Sequence, residues 1–211
     1  MQDDWFALLQ PHDLAAHPPG GPLNACWSYD RILRTQLLRQ ADVLVAHVLI
    51  GDRFGGEQAR RDFDYYEPKT THDSSLSFCT HCIVAAALGR AGKAYDYFLR
   101  TARLDLDDLH GNSWQGIHAA NLAGAWQCVV LGFGGLRWYG GRLSLDPLLP
   151  AAWEGYTFTV WWRGVRVRVS VGEGRVELRT DGGRVALRLG GREVEAGAEP
   201  DPARAEGEGA F

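Results

Sequence analysis

Residues 31–50 place Ile32, Leu33, Leu37, Leu38, Val43, Leu44, Val48 and Leu49 almost all the way round a helical period. A helix apolar on most of its surface is a buried helix, and Gly51-Asp52 closes it. Gln36, Gln40 and His47 lie three to four residues apart and share its polar stripe. On a packed helix such a stripe is hydrogen-bonded or lines a cavity, and otherwise it faces solvent. Three more helices are expected. Residues 76–88 form an apolar run ended by Gly89, and residues 93–104 are amphipathic through Ala94, Tyr95, Phe98, Leu99 and Ala102. Asn112 or Ser113 caps a last helix over 114–131, where His118, Leu122, Ala125 and Val129 fall on one side. From Arg142 the period changes to two. Val165, Val167, Val169 and Val171 alternate with Arg166, Arg168 and Ser170, as in a strand with one wet face. Gly172-Glu173-Gly174, Asp181-Gly182-Gly183 and Gly190-Gly191 are read as hairpin turns.

The expected fold class is therefore mainly α with a C-terminal all-β module. Four parts follow: an irregular segment over 1–30, helices over 31–140, an antiparallel β-domain over 141–196 and a disordered tail over 197–211. In the first part His17-Pro18-Pro19-Gly20-Gly21-Pro22 excludes helix, and Trp5, Phe6, Leu8 and Leu9 need apolar surface to cover them.

Between the first two helices runs Tyr65-Tyr66-Glu67-Pro68-Lys69-Thr70-Thr71-His72-Asp73-Ser74-Ser75-Leu76-Ser77, the densest polar stretch in the chain. Pro68 ends what precedes it, and Asp73, Ser74 and Ser75 are helix N-cap types. A helix start leaves N–H groups unpartnered under a partial positive charge, so this junction suits either an ordinary cap or a bound anion.

Composition narrows the classes. With 45% hydrophobic and 23% charged residues the chain is an ordinary globular one. A net charge of −4 leaves no basic footprint for nucleic acid. No apolar run approaches the ~20 residues of a membrane span, and the acidic start shows no signal peptide, so a cytoplasmic protein is expected. Cys79-Thr80-His81-Cys82 has C-x-x-C spacing but no second pair, which favours packed thiols over a metal site. Trp161-Trp162 offers a sugar-stacking platform, but neighbours on a strand face opposite ways, which favours core packing.

The polar stretch resembles the Y-Y-E-P-x-T-x-H-D-S-S-L-S hallmark of glycoside hydrolase family 65, the maltose, trehalose and kojibiose phosphorylases. Further segments agree in order: Arg39-Gln40-Ala41-Asp42-Val43, Arg103-Leu104-Asp105-Leu106-Asp107-Asp108, Gly116-Ile117-His118 and Leu143-Ser144-Leu145-Asp146-Pro147. The likeness runs from about residue 31 to 189. It implies the C-terminal portion of an (α/α)6 catalytic toroid followed by a small β-domain. In that family phosphate attacks the anomeric carbon with inversion while a glutamic acid protonates the leaving oxygen, so phosphate replaces the base and water of an inverting hydrolase. No residue here matches the acid, so no catalytic residue is assigned.

By resemblance Arg39 and Gln40 hold the glucose, with Arg39 standing where the family usually has lysine. Ser74, Ser75 and His118 hold phosphate, while Glu67, His72 and Asp73 shape the loop. Without the resemblance His118, a lone histidine on an apolar face, reads as a core residue bonded to a carbonyl. The implied partners are an α-linked glucose disaccharide, inorganic phosphate as co-substrate with no cofactor or metal, and the missing N-terminal half of the enzyme. A homodimer is open. Two other readings stand beside the phosphorylase: a non-catalytic remnant or sugar-binding module, and part of a trehalase-type or kojibiose hydrolase. An open half-toroid exposes more apolar surface than the few hundred Å² usual on monomers. Expressed alone, the chain is expected to self-associate in sedimentation velocity. A monodisperse, cooperatively melting monomer contradicts the open half-toroid.

Overall fold

The computed structural model describes residues 23–197 of 211, so the expectations for the N-terminal segment through residue 22 and for the tail from 198 lie outside the described residues. Helices come first: α1 (Leu23–Cys26), α2 (Tyr29–Leu33), α3 (Asp42–Leu49), α4 (Gly56–Tyr66), α5 (Ser77–Ala87), α6 (Ala91–Ala102) and α7 (Ala119–Gln127). A π-helical turn, Cys128–Phe133, continues α7. Six strands follow: β1 (Leu143–Leu145), β2 (Gly155–Trp162), β3 (Val165–Gly172), β4 (Arg175–Asp181), β5 (Val185–Leu189) and β6 (Arg192–Ala196).

α5 is the centre of the helical part. Nine of its eleven residues are buried, and it packs on α3, α6, α7 and the π-turn. Its Cys79 and Cys82 are free thiols, buried there with Cys128, and burial together with Cys128 pushes the Cys79 thiol up to about 11. Such thiols behave as small apolar groups.

The single helix expected over 31–50 is two helices with an irregular segment between them. Leu38 is the reason: its N–H donates to the Lys69 carbonyl at 2.8 Å and its carbonyl accepts from Thr71 at 2.7 Å. Those two tertiary bonds form a parallel bridge, Leu38 to Thr70, and hold Leu38 out of the helical ladder. The Gln36–Gln40–His47 stripe consequently does not exist. His47 turns inward and meets Asp62 of α4 at 2.7 Å.

α4 was not expected from the pattern, because only Phe63 and Tyr66 of its eleven residues are buried. The last helix also differs from expectation. A short 3-10 turn occupies Ser113–Gln115, Gly116 takes φ 124, and α7 starts only at Ala119 with His118 at its N-cap. Leu122 is half-exposed, while Asn121 and Gly124 face inward.

The strands form two three-stranded sheets, β2-β3-β4 and β1-β5-β6. Val167, Val169 and Val171 of β3 are buried while Arg166 and Arg168 face out, as the alternation predicts. Among the described residues there are four strand pairs, three of them antiparallel. β1 departs from the expected antiparallel pattern by pairing parallel to β5. Three intervening strands let the chain return in the same direction, which no tight turn allows. Asp181-Gly182-Gly183 is not a hairpin turn either. It carries the chain from one sheet to the other, because β5 pairs with β1 and β6 instead of β4. Trp161 is 72% exposed, and Trp162 lies beneath Arg163 on the opposite face.

Helices and sheets share a seam. Trp153 packs edge-on against Phe98 and Phe133 at 5.2 and 5.0 Å, and the Tyr156 hydroxyl donates to the Phe133 carbonyl at 2.6 Å. Gly135, at φ 58, lies so close to the Asp146 backbone that a Cβ would overlap its carbonyl. Gly140 shares the dihedral, at φ 57, but has open space around it. Gly140→Ala is expected to cost about 1 kcal/mol in urea unfolding. Gly135→Ala should cost about 1–3 kcal/mol more through overpacking; equal losses would show that the seam is not locked there.

Candidate functional site

The loop before α5 is held from three sides. Glu67, just after α4, accepts the Tyr97 hydroxyl at 2.8 Å and pairs with Lys93 at 2.5 Å, both from α6. Burial pushes the Glu67 carboxyl up, but Lys93 and Tyr97 outweigh it and hold the group below its ordinary range. The Thr70 hydroxyl donates to the Tyr66 carbonyl at 2.8 Å, and the bridge to Leu38 follows at once. Arg39 and Gln40 therefore lie beside the loop because of a backbone pairing, not a shared helix face.

His72 takes the left-handed conformation, φ 58. Its ring stacks on Phe78 at 4.7 Å, meets His81 edge-on at 4.5 Å, and its Nδ1 lies 2.9 Å from the Ser77 hydroxyl. Below it, His81 donates from Nδ1 to the Ser77 carbonyl at 2.9 Å, and its buried Nε2 has no hydrogen-bond partner among the described residues. The Asp73 carboxylate accepts from the Leu23 N–H at 3.0 Å. The Ser74 hydroxyl accepts from Leu76 N–H at 3.4 Å, and its carbonyl from Ser77 N–H at 3.0 Å. The caps expected from Asp73, Ser74 and Ser75 are thus not made. A turn over 74–77 intervenes, Leu76 takes the N-cap position, and α5 starts without a side-chain cap. Its N-terminal dipole is left for something else to satisfy.

His118 stands at the N-cap position of α7. Asp105 holds it twice, accepting from its backbone N–H at 2.9 Å and lying 2.5 Å from Nδ1. This pairing keeps the Asp105 carboxyl below its ordinary range. His118 Nε2 is 3.5 Å from the Asn112 amide nitrogen. His110 joins the group, its ring 6.1 Å from that of His118 and 6.5 Å from Phe78. Burial and His118 lower its proton affinity, while Asp73 and the backbone carbonyl of His72 raise it and Arg39 opposes.

Beside this group lies a pocket of about 400 Å³, within the range of small-ligand sites. Gln40, Leu76, Ser77, Thr80, Ala120 and Gln127 line it. Gln40 also donates to Asp42 at 3.0 Å. The structure therefore gathers Gln40 and the start of α5 at one pocket, with Ser74 and Ser75 immediately before its wall. His118 stands beside His110, and the charges of Asp73 and Arg39 act on that ring. Glu67 and His72 stand under the loop and do not line the pocket. Asp105 and His110 had no role on the sequence pattern. Each is a single residue in an irregular segment, and only a motif seen whole, with His118 thirteen positions after Asp105, hints at either.

A helical part carrying a loop of this kind, followed by a small β-part, is the fold of a solved structure provisionally named a kojibiose phosphorylase from the human microbiome. The two superpose with a TM-score of 0.86 at 33% identity, over 92% of this chain and 29% of the other. The chain belongs to glycosyl hydrolase family 65: the family's central catalytic domain matches residues 1–127 and its C-terminal domain residues 136–196. The resemblance read from the motifs stands.

It is 43% identical to the alpha,alpha-trehalose phosphorylase of Geobacillus stearothermophilus over 81% of this chain and 22% of that protein. The maltose phosphorylase of Bacillus subtilis is 43% identical over 75% and 21%. The kojibiose phosphorylase of Halothermothrix orenii is 39% identical over 75% and 20%. The chain thus spans about a fifth of the length of these relatives. No helix among the described residues is long and apolar enough to cross a membrane.

Burial, then the neighbouring His81 and Arg100, hold His72 at about 3, below its ordinary 6.5. The unfolded chain takes up that proton first. Stability from neutral His72 is complete above about pH 6.5 and is lost as pH falls toward 3. Unfolding free energy should therefore drop between about pH 6.5 and 4.5, above the range where most carboxylates protonate. His72→Asn tolerates the left-handed backbone and gains no proton, so it should flatten that slope. An unchanged slope would place the acid lability elsewhere.

Proposed function

We propose that the chain is the C-terminal part of an inverting α-glucoside phosphorylase that cleaves a disaccharide such as maltose, trehalose or kojibiose. In this reading its helices are part of an (α/α)6 toroid, completed by an N-terminal portion that also supplies the general-acid glutamate. Arg39 and Gln40 bind the glucose whose anomeric carbon is attacked. Ser74, Ser75, the uncapped start of α5 and His118 bind the attacking phosphate. The phosphate accepts hydrogen bonds while one of its oxygens meets the anomeric carbon on the face opposite the leaving sugar. Glu67, His72 and Asp73 keep the loop in shape. The same reading places the enzyme in the cytoplasm, without cofactor.

One observation carries it: the start of α5 has no side-chain cap and lines the pocket together with Gln40, while His118, at the N-cap position of α7, is anchored by the Asp105 carboxylate. The N–H groups of a helix start donate to an anion, and His118, whose Nδ1–H is held by Asp105, donates from Nε2 in its protonated form; charge-assisted hydrogen bonds of this kind are the strong ones. The one carboxylate of the loop, Asp73, is engaged by the Leu23 N–H, which argues against a hydrolytic base there. The need for more chain is supported by Ile117, Leu122 and Trp126, apolar side chains exposed along the edge formed by α7 and the turn before it.

Joined to the N-terminal portion of the Geobacillus relative, the chain is expected to release a glucose 1-phosphate from disaccharide only when phosphate is present. Ser75→Ala or His118→Asn should lower that turnover about tenfold or more. Free glucose formed without phosphate, untouched by either substitution, would establish the hydrolase reading instead. Sugar binding without any cleavage would establish the non-catalytic one.

A further inference from the structure

We propose that His110 is a second imidazole of the anion site, a phosphate-contacting residue that makes anion affinity depend on its protonation. This rests on the phosphate reading of the loop and His118. Its ring stands edge-on to that of His118, 6.1 Å away, and 6.5 Å from Phe78 in the first turn of α5. It therefore lies between the two elements that would hold the anion.

The chemistry follows from counting donors. A neutral imidazole has one N–H and one bare nitrogen. In the neutral ring the bare nitrogen is a lone pair, which repels an anion. Protonation turns it into a donor and adds a positive charge beside the site.

The charged and titratable groups facing His110 are His118 with its partner Asp105, Asp73 and the carbonyl of His72 from the loop, and Arg39. Burial and His118 keep His110 neutral at pH 7, with Arg39 adding to them. A bound dianion would reverse that balance. The recruitment of His110 is thus weak near neutrality and strengthens as the pH falls below its ordinary ~6.5.

Sulfate is the appropriate probe, because its double charge does not change over this range, whereas phosphate titrates itself. Binding of labelled sulfate to the 211-residue chain would be measured by equilibrium dialysis from about pH 8 to 5. In the unmodified chain the dissociation constant should tighten about tenfold or more on acidification. His110→Asn, which cannot take up a proton, should lose most of that gain. A His110→Asn curve within twofold of the unmodified one at every pH, with Ser75→Ala still weakening binding, overturns the role of His110 and leaves the phosphate site standing. No binding, or binding that neither Ser75→Ala nor His118→Asn alters, overturns both. Should His110→Asn fail to fold, the His110 ring followed by NMR in the unmodified chain decides the matter. Its titration should move to higher pH under saturating sulfate, and an unmoved titration overturns the proposal.

Discussion

The candidate site depends on two backbone hydrogen bonds, those by which Leu38 clamps Lys69 and Thr71. Each contributes about 1 kcal/mol net, while a buried donor left unpaired costs more. The pair fixes the irregular segment between α2 and α3 against the loop. Everything near the pocket takes its position from that pairing. Arg39 and Gln40 follow Leu38 directly, and His72 follows Thr71 directly. The 3-10 turn at Glu67–Lys69 feeds the bridge from the other side, with Glu67 tied to α6 through Lys93 and Tyr97.

A second constraint supports the first. The loop rests on a packed set of rings, His72 on Phe78 and His81, with Tyr97 5.3 Å from both histidines. These histidines are kept neutral by burial, which removes charge from beneath the loop and confines it to the rim. There Arg39, His110 and the Asp105–His118 pair stand. A neutral floor keeps unpaired charge out of the core beneath the loop. The unpartnered Nε2 of His81 remains in this floor, and nothing in the structure accounts for it.

The β-part joins the helices through aromatic contact and glycine. Trp153, Phe98, Phe133 and Tyr156 fill the seam, and Ile83 of α5 packs into the sheet core. The helix carrying the loop is thereby buttressed by the β-part through its second half. No residue of the β-part lines that pocket, so these strands support the site without entering it.

Much was legible in the chain itself. Alternating valines mark β3, the apolar run marks α5, and the glycines after residue 131 mark the end of the helical part, because each is a local consequence of burial or backbone freedom. The family, too, was legible, since motifs such as residues 65–77 keep their residue types and order whatever they touch. What tertiary structure decided is equally specific. The break at Leu38 needed a partner thirty residues away, α4 forms with few apolar residues because Phe63 and Tyr66 meet a core built elsewhere, and β1 turned parallel because β5 was there to receive it. His118 became a helix cap because Asp105 captured its backbone and ring together. A linear pattern records which residues prefer burial or a turn. It does not record which distant backbone group will be there to accept a hydrogen bond, and here that choice built the site.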